Sequence, residues 1–350
     1  MLLRDYLRRL LAYQGLGYFN SKNVIVSSLN QELDFDSIKN EQEYRDQLRT
    51  QFNKHSNRDW TTPCEALSPY YSQTIGNWII KLLRKKANKI KKLRIVEIGG
   101  GNGTNAIHLT RHLLSCEGVK NLQYISIDGS ENMVDIQRRN ITGAEEEGLN
   151  RIEIVCEDLT IHPSLFKVEE FKEKIGIKND NKSEDDDSVM NVVLFLEVVG
   201  NLPHDKILRD KYGNWSISTI NKKKDRKEVE EWMGMNLHPE NQILMQMLDN
   251  LMIELEEGGE RKSMKEEGLT LFQRWFQFHP QNPLKELNLR SFQRWLQRSD
   301  IGCYFPTGLF FLLLNLQSSL LSGGNNSIEL FIGDFDSLPN PTLSFDQKQV

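Results

Sequence analysis

The chain has 350 residues, 38% of them apolar and 27% charged, with a formal net charge of −5. That length accommodates one large domain or two ordinary ones, and the modest apolar share assigns much of it to surface and insertions. The acidic balance excludes a general nucleic-acid binder, which carries a basic surplus, and no apolar window is long enough to cross a bilayer.

The first segment, Met1 to Leu11, is basic and amphipathic. Two readings fit it: a mitochondrial transit peptide or the first helix of the folded domain, with Asp5 favouring the second. A turn at Gly15 and Gly17 and an apolar stretch, Val24-Ile25-Val26, follow. Thr62 precedes Pro63 and is expected to be extended. After Ser68-Pro69-Tyr70-Tyr71 an amphipathic helix runs to about Leu83, and a basic, solvated linker leads onward.

Strand-like runs then alternate with helical patterns: Arg94 to Ile98, Gln123 to Asp128, Arg151 to Cys156, Asn191 to Leu196 and Ile328 to Ile332. Such alternation predicts an α/β fold with a parallel, doubly wound sheet. Residues 1–90 read as an N-terminal helical extension contributing to the ligand site, and 91–350 as the main domain. Polar insertions interrupt that domain near 175–188 and 210–265. Lys178 to Ser188, with Asp185-Asp186-Asp187, is expected to be disordered, and Asn221 to Glu231 to form a solvated helix. Leu309 to Leu314 reads as a buried helix, cut short by Asn315 and Gln317.

The chemistry concentrates after the first strand, in Glu97-Ile98-Gly99-Gly100-Gly101-Asn102-Gly103-Thr104. Gly99, Gly101 and Gly103 allow a close backbone approach to a ligand, and Thr104 opens a helix whose first N–H groups are unpaired. The loop alone does not identify the ligand, since Gly101-x-Gly103-x-x-Ala106 also fits a loose dinucleotide pattern. The carboxylates discriminate. Glu97, inside the end of the strand, repels a pyrophosphate but not a cationic, phosphate-free ligand. Asp128 ends the second strand, where an acid accepts the hydroxyls of a ribose. Asp158 follows the third strand, where it can accept from an adenine amino group. The three together favour S-adenosylmethionine over NAD.

Beyond the fourth strand come Glu197, Asn201 and His204, on the side of a parallel sheet where ligands bind. A carboxylate can hold a guanidinium, Asn201 can fix an amine, and His204 can take a proton. The alternative is a loop that packs Pro203 and caps the next element. Cys64, Cys116, Cys156 and Cys303 are scattered without a Cys-x-x-Cys pair, which suits a reducing compartment. His108 and His112 read as helix-face residues and no metal site is expected.

At these motifs the chain resembles the MidA-like family of class I methyltransferases. Gly17-Tyr18-Phe19, Trp60-Thr61-Thr62-Pro63-x-Glu65, Ser68-Pro69-Tyr70-Tyr71, Glu97 to Gly103, Glu197-Val198 with Asn201-Leu202-Pro203-His204-Asp205, Phe305-Pro306-Thr307-Gly308 and Gly333 to Pro339 carry the resemblance. It implies a Rossmann-like fold with S-adenosyl-L-methionine as cofactor, and adds Pro69 and Tyr70 to the cofactor site. It also implies arginine N-methylation of a protein, a respiratory complex I subunit during assembly in the mitochondrial matrix. Two departures qualify it. Gly200 stands where the family usually has an aspartate, and five strand candidates leave no room for a final hairpin before Val350, so the last strands are expected to be missing. A non-catalytic assembly factor that keeps the fold is the alternative function.

Overall fold

The computed structural model describes residues 1–13, 17–20, 26, 33–53, 61–86, 90–116, 119, 121–143, 149–177, 189–223, 228–256, 303–321 and 327–333. Gly15, Val24, Ile25, Trp60, the insertion at 178–188 and residues 334–350 lie outside them. In chain order the elements are α1 (Leu3–Ala12), α2 (Glu41–Asn53), α3 (Pro63–Ala66), α4 (Tyr70–Lys85), β1 (Lys92–Ile98), α5 (Thr104–Ser115), β2 (Leu122–Asp128), α6 (Glu131–Gly143), β3 (Ile152–Cys156) and α7 (Val168–Lys174). They continue with β4 (Val189–Leu196), β5 (Asp205–Arg209), β6 (Trp215–Lys222), β7 (Glu228–Gly234), α8 (Gln242–Glu256), β8 (Cys303–Phe305), α9 (Thr307–Leu320) and β9 (Ser327–Gly333).

The chain forms two compact units. One holds Ala12–Asp158, Val168–Asn201 and Ser318–Val350; the other holds Met1–Leu11, Leu159–Lys167 and Leu202–Gln317. Neither coincides with the 1–90 and 91–350 segments expected from sequence, because non-local strand pairing gathers separated stretches.

The larger unit is built on a parallel sheet in the order β3-β2-β1-β4-β9. All five strands expected from the apolar runs are present. One face is packed by Ile75 and Ile79 of α4 and Ala106, Leu109 and Leu113 of α5 against Leu93, Ile95, Tyr124, Val192 and Leu194. On the same face α6 reaches the sheet through Gln137, whose Oε1 accepts from Ser126 Oγ at 2.7 Å. Alternate residues point to the other face, where Gln123 donates to the carbonyl of Ile175 just past α7. Helices on both faces make this the doubly wound, class I methyltransferase-like Rossmann architecture.

The smaller unit contains an antiparallel sheet, β7-β6-β5-β8. Asn221 to Glu231, expected as a solvated helix, instead contributes paired strands at both of its ends, with Asn221 opposite Val229 and Lys222 opposite Glu228; residues 224–227 lie outside the described residues. The alternation from Trp215 to Ile220 decides this. Trp215 and Ile217 enter a core with Leu2, Ile207, Met235, Leu244, Leu248, Phe305 and Phe311. Leu309 to Leu313 are buried in α9 as expected and Leu314 is partly buried, but the helix is not cut short at Asn315 and Gln317 and runs on to Leu320. The first residues of the chain are built in: Leu2 and Leu3 are buried, and Arg4 pairs with fully buried Asp205 at 2.7 Å.

Candidate functional site

The site belongs to the larger unit, at the carboxyl ends of β1 and β4. Strand order reverses between those two strands, the position where open α/β sheets bind ligands. A cleft enclosing about 400 Å³, part of it open to solvent, is lined by Gly99, Gly100, Gly101, Asn102, Thr104 and Asn105 of the loop and the start of α5. Val26, Thr62, Cys64, Glu65 and Tyr71 add one wall, and Glu97, Leu196 and Glu197 complete the lining.

The glycine loop is shaped by its contacts. A Cβ on Gly100 would stand 2.0 Å from Ser126 Oγ, so only glycine lets the loop pass over β2 there. Gly101 has φ 54° and among the described residues a Cβ on it would meet nothing within 4 Å, in a conformation that side chains rarely adopt. Gly103, at φ 83°, is the N-cap of α5 and offers that helix no capping side chain.

Glu97 is 2% exposed. Its carboxylate accepts from Asn105 Nδ2 and from Tyr124 Oη, both at 2.8 Å. Burial pushes its acid up to about 7; the two hydrogen bonds pull it back and Asp128 pushes it further up. At the end of β2, Asp128 accepts from Ser130 N at 2.9 Å and from Gln137 Nε2 at 3.4 Å, and burial raises its acid to about 6. Asp158 follows β3 and is half-buried. Asp128 and Asp158 stand outside the cleft lining, at the ends of neighbouring strands in the same sheet.

Nine lining residues, among them Glu65, Cys64, Tyr71 and Asn105, were not predicted as site residues from sequence. Glu65 had a legible signal. Thr62-Pro63-Cys64-Glu65 is a capping-box pattern, and Thr62 Oγ1 indeed accepts from Glu65 N at 3.3 Å, with Pro63 opening α3. The Glu65 carboxylate reaches the glycine loop. Its Oε1 accepts from Asn102 Nδ2 at 3.1 Å and from Thr104 Oγ1 at 2.7 Å. Cys64 is pushed well up by burial and by Glu97 and Glu65, so its thiol stays protonated and is a poor nucleophile.

Pro69 and Tyr70, assigned to the cofactor site by resemblance, are not in the cleft lining. Pro69 is the N-cap of α4, and Tyr70 is exposed with its ring edge-on to Phe35 at 5.6 Å. The next residue, Tyr71, takes the place in the wall. Glu197 follows β4 at φ 57°, a left-handed backbone uncommon outside glycine,. Its N–H donates to the carbonyl of Gly333 at 2.6 Å, and Asn201 Nδ2 donates to its carbonyl at 3.2 Å. His204 belongs to the smaller unit, edge-on to Tyr304 at 5.2 Å, with burial lowering its pKa so that the ring is neutral at pH 7. His108 and His112 lie on α5, where His112 Nε2 contacts Asn77 Oδ1 at 3.1 Å. Among the described residues no cluster suited to a metal ion is present, and no helix is long and apolar enough to cross a membrane.

A family model described as "Putative S-adenosyl-L-methionine-dependent methyltransferase" matches residues 74–281, more than half of the chain. No curated protein matches. Among solved structures, the chain is similar to a "likely methyl transferase" from Burkholderia thailandensis bound to S-adenosyl-homocysteine, at 16% identity, 67% of this chain, 46% of that chain and a TM-score of 0.41. A second Burkholderia thailandensis structure of the same superfamily gives 14% identity, 67% and 44% coverage and a TM-score of 0.38. A methyltransferase from Aquifex aeolicus gives 14% identity, 37% and 59% coverage and a TM-score of 0.20. The chain thus spans less than half the length of the two Burkholderia proteins.

Proposed function

This chain belongs to the S-adenosyl-L-methionine-dependent methyltransferase family matched over residues 74–281, and from that premise we propose that it transfers the methyl group of S-adenosylmethionine to a protein arginine. The observation that carries the reading is the charge of the cleft. Glu65, Glu97 and Glu197 all line it, and among the described residues its lining contains no Lys, Arg or His. Glu65 also places a carboxylate at the start of α5, where a dinucleotide would set its pyrophosphate. Carboxylates so placed repel a phosphate, and Glu97 and Glu197 attract a cation, while the Glu65 charge is taken up by its two hydrogen-bond donors. S-adenosylmethionine is a phosphate-free cation, and among the described residues nothing crowds the Cβ position of Gly101, which gives its approach room. Asp128 would hold the ribose hydroxyls and Asp158 the adenine amino group.

S-adenosylmethionine supplies the electrophilic methyl group, and the chain supplies position and electrostatics. Glu197 supports a guanidinium acceptor, because its carboxylate can take two parallel N–H donors and orient the receiving nitrogen. Its left-handed backbone, steadied by Asn201 and Gly333, is a local strain of the kind that clusters at working sites. The resemblance in the motifs around Glu197 supports a respiratory complex I subunit as acceptor and the mitochondrial matrix as compartment.

Titration calorimetry with S-adenosylmethionine tests the cofactor. Saturable binding that Asp128→Ala weakens about tenfold or more, the loss of one or two hydrogen bonds to a charged acceptor, is expected. A folded protein that binds no S-adenosylmethionine, or binds NAD more tightly, refutes the reading. Methyl transfer from labelled cofactor to an arginine-bearing protein tests the acceptor. Gly200, bare of a side chain where the family usually has an aspartate, favours a second reading: a non-catalytic assembly factor, which would bind cofactor and transfer nothing.

A further inference from the structure

We infer that Glu65 is the positioning residue of the cofactor loop, fixing the corner between the glycine loop and α5 in the conformation that receives the ligand; the inference rests on the cofactor reading above. The corner has no cap of its own. Gly103 is the N-cap and brings no side chain, and glycines lose more conformational freedom on ordering than any other residue. Glu65 Oε1 accepts from the residue on each side of Gly103, Asn102 at 3.1 Å and Thr104 at 2.7 Å. One carboxylate oxygen therefore spans the corner.

The brace is itself held. Glu65 is 6% exposed, and its backbone N–H is tied to Thr62 Oγ1 at the start of α3. In an ordinary capping box the third-position carboxylate satisfies the N-cap N–H of its own helix. Here its Oε1 reaches across to the corner before another helix, which points to a role in that helix's loop. Asn102 completes the clamp, with its Nδ2 also 3.3 Å from the Val26 carbonyl and its own carbonyl accepting from Asn140 at 2.8 Å. A ligand's apparent affinity falls by whatever fraction of molecules leave the competent conformation, so losing the brace appears as weaker binding.

Two variants separate reach from charge. Glu65→Gln keeps the acceptor oxygen at its full reach and removes the charge. Glu65→Asp keeps the charge and is one methylene short of both partners. Calorimetry with S-adenosylmethionine is expected to show Glu65→Gln within about threefold of the parent and Glu65→Asp about tenfold weaker, one charged hydrogen bond's worth. Glu65→Ala should match Glu65→Asp if it folds; if it does not, the Gln and Asp pair still decides. Hydrogen exchange on the ligand-free proteins should show faster exchange at the amides of 101–105 in Glu65→Asp and not in Glu65→Gln. Glu65→Asp binding like the parent while Glu65→Gln fails would assign a charge role and overturn the inference. So would unchanged loop exchange in Glu65→Asp with the only loss at Thr62 to Leu67, the mark of a local structural role. If the parent binds no S-adenosylmethionine, the cofactor reading fails, and the ligand-free exchange still tests the brace.

Discussion

Glu97→Gln probes the most perturbed acid of the site, because the amide keeps the shape of the side chain while removing its proton equilibrium. The folded protein holds the Glu97 proton up to about pH 7, against an ordinary value of 4.5, chiefly because the side chain is buried. Between those values the unfolded chain has released a proton that the folded protein still binds. Stability therefore falls as pH rises from about 4.5 to about 7 and is level above it. A gap of about 2.5 pH units at 1.36 kcal/mol each gives a cost on the order of 3 kcal/mol at pH 8. Urea unfolding of the ligand-free parent and Glu97→Gln at about pH 5, 6, 7 and 8 measures it, and the difference between the two isolates Glu97 from titrations they share. Glu97→Gln should gain about 3 kcal/mol on the parent across that range. A difference that stays level from pH 5 to 8 would refute the claim that burial dominates this carboxyl. A bound cation should draw the acid back down, so saturating S-adenosylmethionine is expected to flatten the parent's decline.

Arg4→Ala leaves the Asp205 carboxylate buried with only Arg4 N and the Thr307 hydroxyl donating to it. An unpaired buried charge costs about 3–5 kcal/mol, so the midpoint of chemical unfolding should drop accordingly. Gly100→Ala forces a Cβ to within 2.0 Å of Ser126 Oγ. Overpacking of this kind costs about 1–3 kcal/mol, and displacement of the loop should weaken S-adenosylmethionine binding measured by calorimetry.

The parallel sheet was legible because each of its strands carries a short, mainly apolar run, most continuous in the central strand β4, as a strand flanked on both sides requires. Val189 to Leu196 is such a run, and its neighbours on both sides bury it. The pairing of β6 with β7 was not legible in the sequence because Lys222 to Glu231 is charged at every position but Val229, and local charge reports exposure rather than backbone state. The alternation that specifies β6 lies in the preceding residues, from Trp215 to Ile220. At the site, Glu97, Gly99, Gly101, Thr104 and Glu197 reach the cleft lining from positions fixed by the strand–loop–helix order. Tyr70 and Tyr71 show the limit of a motif: adjacent residues at a helix start point to different surroundings, and only packing against Phe35 settles which one is turned away.

By itself the sequence determined the order of parts, since apolar periodicity, a glycine cluster and acids at strand ends are local patterns with local causes. It also determined that a carboxylate, not a cation, stands at the base of the glycine loop. Only the tertiary structure decided what those groups meet. Glu97 lies against Asn105 and Tyr124, 8 and 27 residues away. Glu65, 37 and 39 residues from its partners, spans the corner of the loop. Contacts at such separations depend on how the strands pair and the helices pack on them, and no local pattern encodes which distant side chain will fill a given gap.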